Sequence, residues 1–209
     1  KFIHSYFPQF NADKIIDKMM TSAKWKDSPY YGQTKDQIKK SWTSKGSKAS
    51  SDGTNLHKQI ENYYNQLTID NPNMVEYQYF LQFHQDHIEN KLIPFRTEWE
   101  VYDRDIELAG SIDMIYKNNQ DDSYVIYDWK RCSNFKEENS FESGFAPLEH
   151  IPNCNKWHYS LQLNIYKYIL EKNYQIKISG MNLLILHPNN ASYRIVKVPE
   201  MTEEINNIM

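Results

Sequence analysis

The hydrophobic period of this chain changes once, near Pro94, and that change restricts the fold more than any other feature. Before it the spacing is helical. From Ala12 to about Tyr64, Ile15, Ile16 and Met19 share one face, and Leu56, Ile60, Tyr63 and Tyr64 recur at three- and four-residue intervals. A polar stretch from Lys35 to Lys48 lies between these two helical segments. The second segment puts His57 and Glu61 side by side at i, i+4 on an adjoining stripe. Met74 to Glu89 repeats the period, with Pro72 suited to the helix start and Pro94 closing the helical region. After Pro94 the period is 2. Phe95 to Asp103, Glu107 to Tyr116 and Tyr124 to Arg131 are β-rich runs, separated by Asp103-Arg104-Asp105 and by the polar turn at 118–122, and they predict a three-stranded meander. Lys156 to Lys172 predicts a long helix, Ile176 to Leu186 and Tyr193 to Val198 two further strands, and Thr202 to Met209 a short terminal helix. The expected class is α/β (α+β): an αβββαβ core with a central mixed sheet and an N-terminal helical region. One domain over residues 1–209 is expected, with a mainly helical part over 1–92 carrying His57 and a sheet-and-helix core over 93–200.

Composition removes several classes of function. With 24 Lys+Arg against 27 Asp+Glu the formal net charge is −3, so the whole molecule is no basic sheath and any polyanion site is local. The most apolar run, Met181 to Leu186, is far short of the ~20 residues of a membrane-spanning helix, so no membrane partner is expected. No basic segment followed by an apolar one stands at the start, and with Lys1 in place of Met the start reads as a processing boundary. Two cysteines, Cys132 and Cys154, cannot build a disulfide scaffold or a four-cysteine iron–sulfur cluster within this chain, and they favour an intracellular home, cytoplasm or nucleus.

The segment from Glu98 through Lys130 carries the chemistry. In Asp128-Trp129-Lys130, strand alternation sends the carboxylate and the ammonium to one face and the indole to the other, where it anchors the strand. Asp113 on the preceding run, registered opposite, adds a second carboxylate. Clustered oxygens of this kind suit Mg²⁺ or Mn²⁺, one ion or two, rather than zinc. The carbonyl of Trp129 is a further candidate ligand. Phosphodiester hydrolysis needs charge at the non-bridging oxygen, a water held in line and help in deprotonating it, and a metal with a neighbouring lysine provides all three. Taken alone, Asp-x-Lys on a strand is also the pattern of a surface ion pair.

Five elements in order change that reading: Gly53-Thr54-Asn55-Leu56-His57-Lys58-Gln59-Ile60-Glu61, Arg96-Thr97-Glu98-Trp99-Glu100, Ala109-Gly110-Ser111-Ile112-Asp113, Tyr127-Asp128-Trp129-Lys130 and Leu161-Gln162-Leu163-Asn164-Ile165-Tyr166. With them the chain resembles the PD-(D/E)xK nuclease superfamily, within it the RecB-type and lambda-exonuclease-like branch, and among those the versions carried by large DNA viruses. The resemblance implies a restriction-endonuclease-like fold and a metal-dependent deoxyribonuclease, an exonuclease or end-processing enzyme acting on single-stranded DNA or duplex ends. It implies that Asp113 and Asp128 bind the metal, that Lys130 assists the attacking water and that His57 is an additional ligand. Glu98, preferred over Glu100, is the upstream acid it implies, and Gln162 with Tyr166 lines the site and contacts the scissile strand. The four-cysteine cluster that many relatives carry is not implied here.

Other residues have plainer readings. His84 and His87 are expected to be core or solvated histidines, Glu61 a helix-surface carboxylate, and Arg131 a structural side chain on the strand face opposite Lys130. Lys35, Lys39, Lys40, Lys45 and Lys48 surround Trp42, and of these Lys45 and Lys48 are the expected nucleic-acid contacts. Two alternatives to a DNase stand beside it: an RNA endonuclease of viral type, and an inactive nucleic-acid-binding module of the same fold. Against the inactive module, carboxylates clustered without a cation cost several kcal/mol of repulsion and desolvation.

Overall fold

The computed structural model describes residues 2–209, which form two compact units. Gln9–Thr54 is the smaller. Within it α1 (Ala12–Met20) is N-capped by the Asn11 side chain, which accepts from the Lys14 N–H at 2.9 Å. Ile16 and Ile38 are fully buried, and the Trp42 ring meets Phe10 and Tyr30. The long helix α2 (Lys35–Tyr64) begins here and continues into the larger unit. The polar stretch expected to separate two helical segments therefore lies inside one 30-residue helix. It contains no proline, and a stretch of Lys, Ser and Ala with single glycines weakens a helix without breaking it.

The larger unit, Asn55–Met209 with the N-terminal segment up to Pro8, is built on a five-stranded mixed sheet in the order β1-β2-β3-β4-β5. The strands are β1 (Leu92–Asp103), β2 (Leu108–Asn118), β3 (Tyr124–Arg131), β4 (Ile178–Leu186) and β5 (Arg194–Lys197). β1, β2 and β3 form the expected antiparallel meander, β4 runs parallel to β3, and β5 is antiparallel to β4. The β3–β4 connection is the crossover helix α4 (Asn155–Asn173), as a parallel pair requires. α3 (Val75–Phe83) passes into a π turn at His84–Ile88, which ends the predicted helix over Met74 to Glu89. α5 (Thr202–Ile208) closes the chain. Pro94 lies within β1 instead of ahead of it; β1 is an edge strand, where a missing N–H leaves no inner ladder bond unmade.

Two apolar layers cover the sheet. One joins the sheet to α4 and α5 through Ile126, Leu161, Ile165, Ile169, Leu183 and Ile205. The other packs the C-terminal part of α2 and α3 on the opposite face, with Leu56, Ile60, Phe80, Phe83 and Trp129 fully buried or nearly so. Trp129 fills the centre of this layer, its ring 5.8 Å from Phe80 and 6.1 Å from Phe83 between centroids. Strand alternation thus orients β3 as expected: indole to the core, Asp128 and Lys130 to the other face. On β2 the alternation changes phase, because Ile112 and Met114, on either side of Asp113, belong to opposite layers. Emptying the Trp129 site leaves a large void beneath β3. Trp129→Ala is expected to cost about 3–5 kcal/mol, read as a lower urea midpoint with an unchanged slope.

Candidate active site

The β2–β3 ladder stops at Met114 and Tyr127, just before the two aspartates would face each other. In an extended strand the N–H and C=O of one residue point to the same edge. At Trp129 the edge facing β2 has therefore lost its backbone partner, and side chains take its place. The Trp129 N–H donates to Asp113 Oδ2 at 2.7 Å, and its carbonyl accepts from His57 Nε2 at 2.9 Å. His57 reaches this point because its neighbours Leu56 and Ile60 are fully buried and lock the helix against the sheet.

A carbonyl can only accept, so Nε2 of His57 carries the proton and Nδ1 of the neutral ring presents its lone pair. That atom lies 3.5 Å from Asp113 Oδ1 and 3.7 Å from Glu98 Oε1. Ligand atoms of His57, Glu98 and Asp113 all fall within 4.8 Å of one another, a trio close enough to hold one metal ion. Glu98 is brought there by irregular backbone. Its neighbours Thr97 and Trp99 pair with Met114 and Ile112, which sets Glu98 opposite Asp113, but its φ of 46° is left-handed. A non-glycine residue held so costs on the order of 1–2 kcal/mol. The Ser111 hydroxyl donates to Glu98 Oε2 at 3.3 Å.

Beside the trio, Lys130 Nζ lies 2.6 Å from Asp128 Oδ2. That oxygen is buried and makes no aligned hydrogen bond among the described residues, and the ammonium compensates its charge. Lys130 also rests over the Tyr159 ring, 4.6 Å from its centroid. On the same face of α4 as Tyr159, the Gln162 amide donates to the Tyr166 hydroxyl at 2.9 Å. Tyr166 lies against Gly110: a Cβ there would stand 2.5 Å from the ring, so glycine is required for the close approach.

The electrostatics ask for positive charge. Burial and then repulsion from Asp128 push the Asp113 carboxyl well above the usual carboxylate range, with His57, Lys130 and the Trp129 N–H opposing. Burial disfavours a charged His57, but Glu98, Asp113 and Asp128 outweigh it and raise its pKa. Burial likewise acts against the Lys130 ammonium, and Asp128 and Asp113 more than offset it. Lys130 is accordingly a held cation, suited to charge stabilisation and to orienting a water, and not a proton acceptor.

The structure thus brings together His57, Glu98, Asp113, Asp128, Lys130 and the Trp129 backbone, with Gln162 and Tyr166 on the adjoining helix face. Asp128 pairs with Lys130 and is not in the trio, and the Trp129 carbonyl is given to His57. Glu100 is exposed and Glu61 is outside the trio. Lys45 and Lys48 belong to the smaller unit, where the Lys45 ammonium lies over the Tyr30 ring and Lys48 pairs with Asp52. Lys35 and Lys39 are held by Asp13 and Asp17. Arg131 turns to the other face and donates to Glu76 at 2.6 Å. Sequence reasoning missed Tyr159, although its place three residues before Gln162 on α4 was a signal. It also missed Trp129 as the tie between Asp113 and His57, for which no local signal exists.

The model of the PD-(D/E)XK nuclease superfamily matches residues 73–206, well over half of the chain. The chain belongs to this superfamily. Glu98, Asp113, Asp128, Lys130, Gln162 and Tyr166 lie inside the matched segment, whereas His57 lies upstream of it on α2. No curated protein is significantly similar to the chain. Among solved structures it is similar to the crystal structure of SSO0001, at 16% identity and a TM-score of 0.32, over 74% of this chain and 69% of that one. The buried, crowded Asp113 carboxylate has a consequence for stability. Asp113 has a raised folded pKa, so its contribution to stability is fully present below the unfolded carboxylate value near 4 and lost as pH rises through the folded value. Asp113→Asn keeps an acceptor for the Trp129 N–H. In EDTA it is expected to raise the thermal midpoint at pH 8, by on the order of 1–3 kcal/mol in stability, and to lose that advantage at pH 4.

Proposed function

We propose that the chain is a divalent-metal-dependent deoxyribonuclease that hydrolyses phosphodiester bonds, working as one nuclease domain inside the cell in replication, recombination or repair. The observation that carries this is the convergence of His57 Nδ1, Glu98 and Asp113 next to the Asp128–Lys130 pair. The donor set fits a Mg²⁺ or Mn²⁺ ion: one imidazole and two carboxylates, with the other ring nitrogen of the histidine held by a backbone carbonyl, as metal-bound histidines commonly are. His57, Glu98 and Asp113 would hold the ion, with Asp128 beside them. When bound, it supplies charge for the non-bridging oxygen and lowers the pKa of water.

The chain's own residues do the rest. Lys130, kept protonated by Asp128 and Asp113, offers its ammonium to the attacking water or to a phosphate oxygen as negative charge develops. Water adds to phosphorus, one P–O bond breaks, and the products are a phosphate monoester and a hydroxyl end. Gln162 and Tyr166 present an amide and a hydroxyl to the scissile strand. Exposed Lys45 and Lys48 serve as phosphate contacts. DNA is preferred over RNA, and end processing over internal cutting, on the resemblance of the five sequence elements to the RecB-type and lambda-exonuclease-like branch.

End-labelled single-stranded DNA, duplex DNA and RNA incubated with Mg²⁺ or Mn²⁺ test this reading. Cleavage of DNA is expected, with a loss of about 10²–10⁴-fold in Lys130→Ala and a comparable loss in His57→Ala, while thermal unfolding shows both variants folded. Absence of cleavage, or equal cleavage by Lys130→Ala, sinks the proposal. Preference for RNA moves the assignment to an RNA endonuclease.

A further inference from the structure

A pocket of about 170 Å³ lies next to the site, between the N-terminal 3₁₀ turn Ile3–Tyr6, the start of β2 and the middle of α4. Its wall includes Phe2, Leu108, Ile165 and His158, and it shares Tyr159 and Tyr166 with the site already described. Tyr159 carries the Lys130 ammonium and lines this pocket as well, so whatever enters sits one side chain away from that lysine.

Size and chemistry restrict the occupant. An apolar cavity of about 150 Å³ takes up a benzene ring, so this pocket has room for one planar heterocycle. Among the described residues no Lys or Arg lines it, which disfavours a bare phosphate or carboxylate. Its aromatic and aliphatic walls are of the kind that hold a base taken out of its stack, with polar groups reading the base edge. Gln162 supplies such a group, and His158 lines the wall beside it. Burial, with His4 adding to it, lowers its pKa to about 4, so the ring is neutral near pH 7 and offers one donor and one acceptor. Its Nε2 has no hydrogen-bond partner among the described residues, and the Gln162 amide lies on the same wall.

We infer that this pocket takes one unstacked nucleobase of the bound strand, beside the scissile phosphate, with Tyr159 between base and lysine. The inference rests on the nuclease reading of the adjacent site and adds to it a base-binding subsite.

Binding is measured without metal, so that no cleavage enters the readout. In EDTA, dAMP and thymidine monophosphate are titrated to millimolar concentration while the methyl resonances of Leu108, Ile165 and Ile169 are followed by NMR, with deoxyribose 5-phosphate as the control that lacks a base. The nucleotides are expected to give saturable shifts and the control none. Ala109→Phe, which fills the mouth from an exposed strand position, is expected to abolish the shifts while the rest of the spectrum is retained. Methyls that do not move, or that move equally with the sugar phosphate, overturn the inference on the wild-type protein alone. Saturable base binding without metal-dependent cleavage would leave the pocket standing and remove the nuclease reading; cleavage without base binding would do the reverse.

Discussion

The backbone of Trp129 is where core and site are joined. Its indole is buried in the aromatic layer beneath the sheet, which fixes β3 along its length, while its N–H and carbonyl stand on an edge that has lost its strand partner. One of these groups holds Asp113 and the other holds His57, so two residues from distant parts of the chain are positioned by a single peptide segment. A buried backbone group cannot be left unpaired without cost, and that obligation draws in both side chains. The precision of the site is thus inherited from the packing of a residue that does no chemistry itself.

Charge is the second constraint. Glu98, Asp113 and Asp128 crowd one end of the sheet, and the protein compensates them with one ammonium and one imidazole. Lys130 is committed to Asp128 and supported from behind by the Tyr159 ring. The lone pair of His57 therefore points into a region whose carboxylates favour a cation. Carboxylates crowded in this way cost the scaffold stability through desolvation and mutual repulsion. The left-handed backbone at Glu98 and the phase change around Asp113 fall at facing positions of β1 and β2, so both irregularities lie at the site.

Much of this was legible in the sequence, for a local reason. Period 2 and period 3.6 are properties of neighbouring residues, so the meander, the crossover helix and the fourth and fifth strands could be placed to within a few residues. The side-chain directions of Asp128, Trp129 and Lys130 followed from alternation alone. The order of the five elements identified the superfamily before any contact was known. The same reasoning broke α2 at its polar stretch, since periodicity registers a buried face and that part of the helix buries little beyond Ile38.

What only the tertiary structure decided are the relations between positions far apart in the chain. The sequence by itself determined which residue types the site contains and which strands carry them, because these depend on composition and spacing. It could not determine that Asp128 pairs with Lys130 while Asp113, Glu98 and His57 form the trio, that the Trp129 carbonyl is used by a histidine, or that Tyr159 backs the lysine. Those facts depend on where a ladder ends, on one left-handed residue and on how a crossover helix lies on its sheet. All three are set by long-range packing and by the need to satisfy buried polar groups, and neither leaves a mark in local spacing.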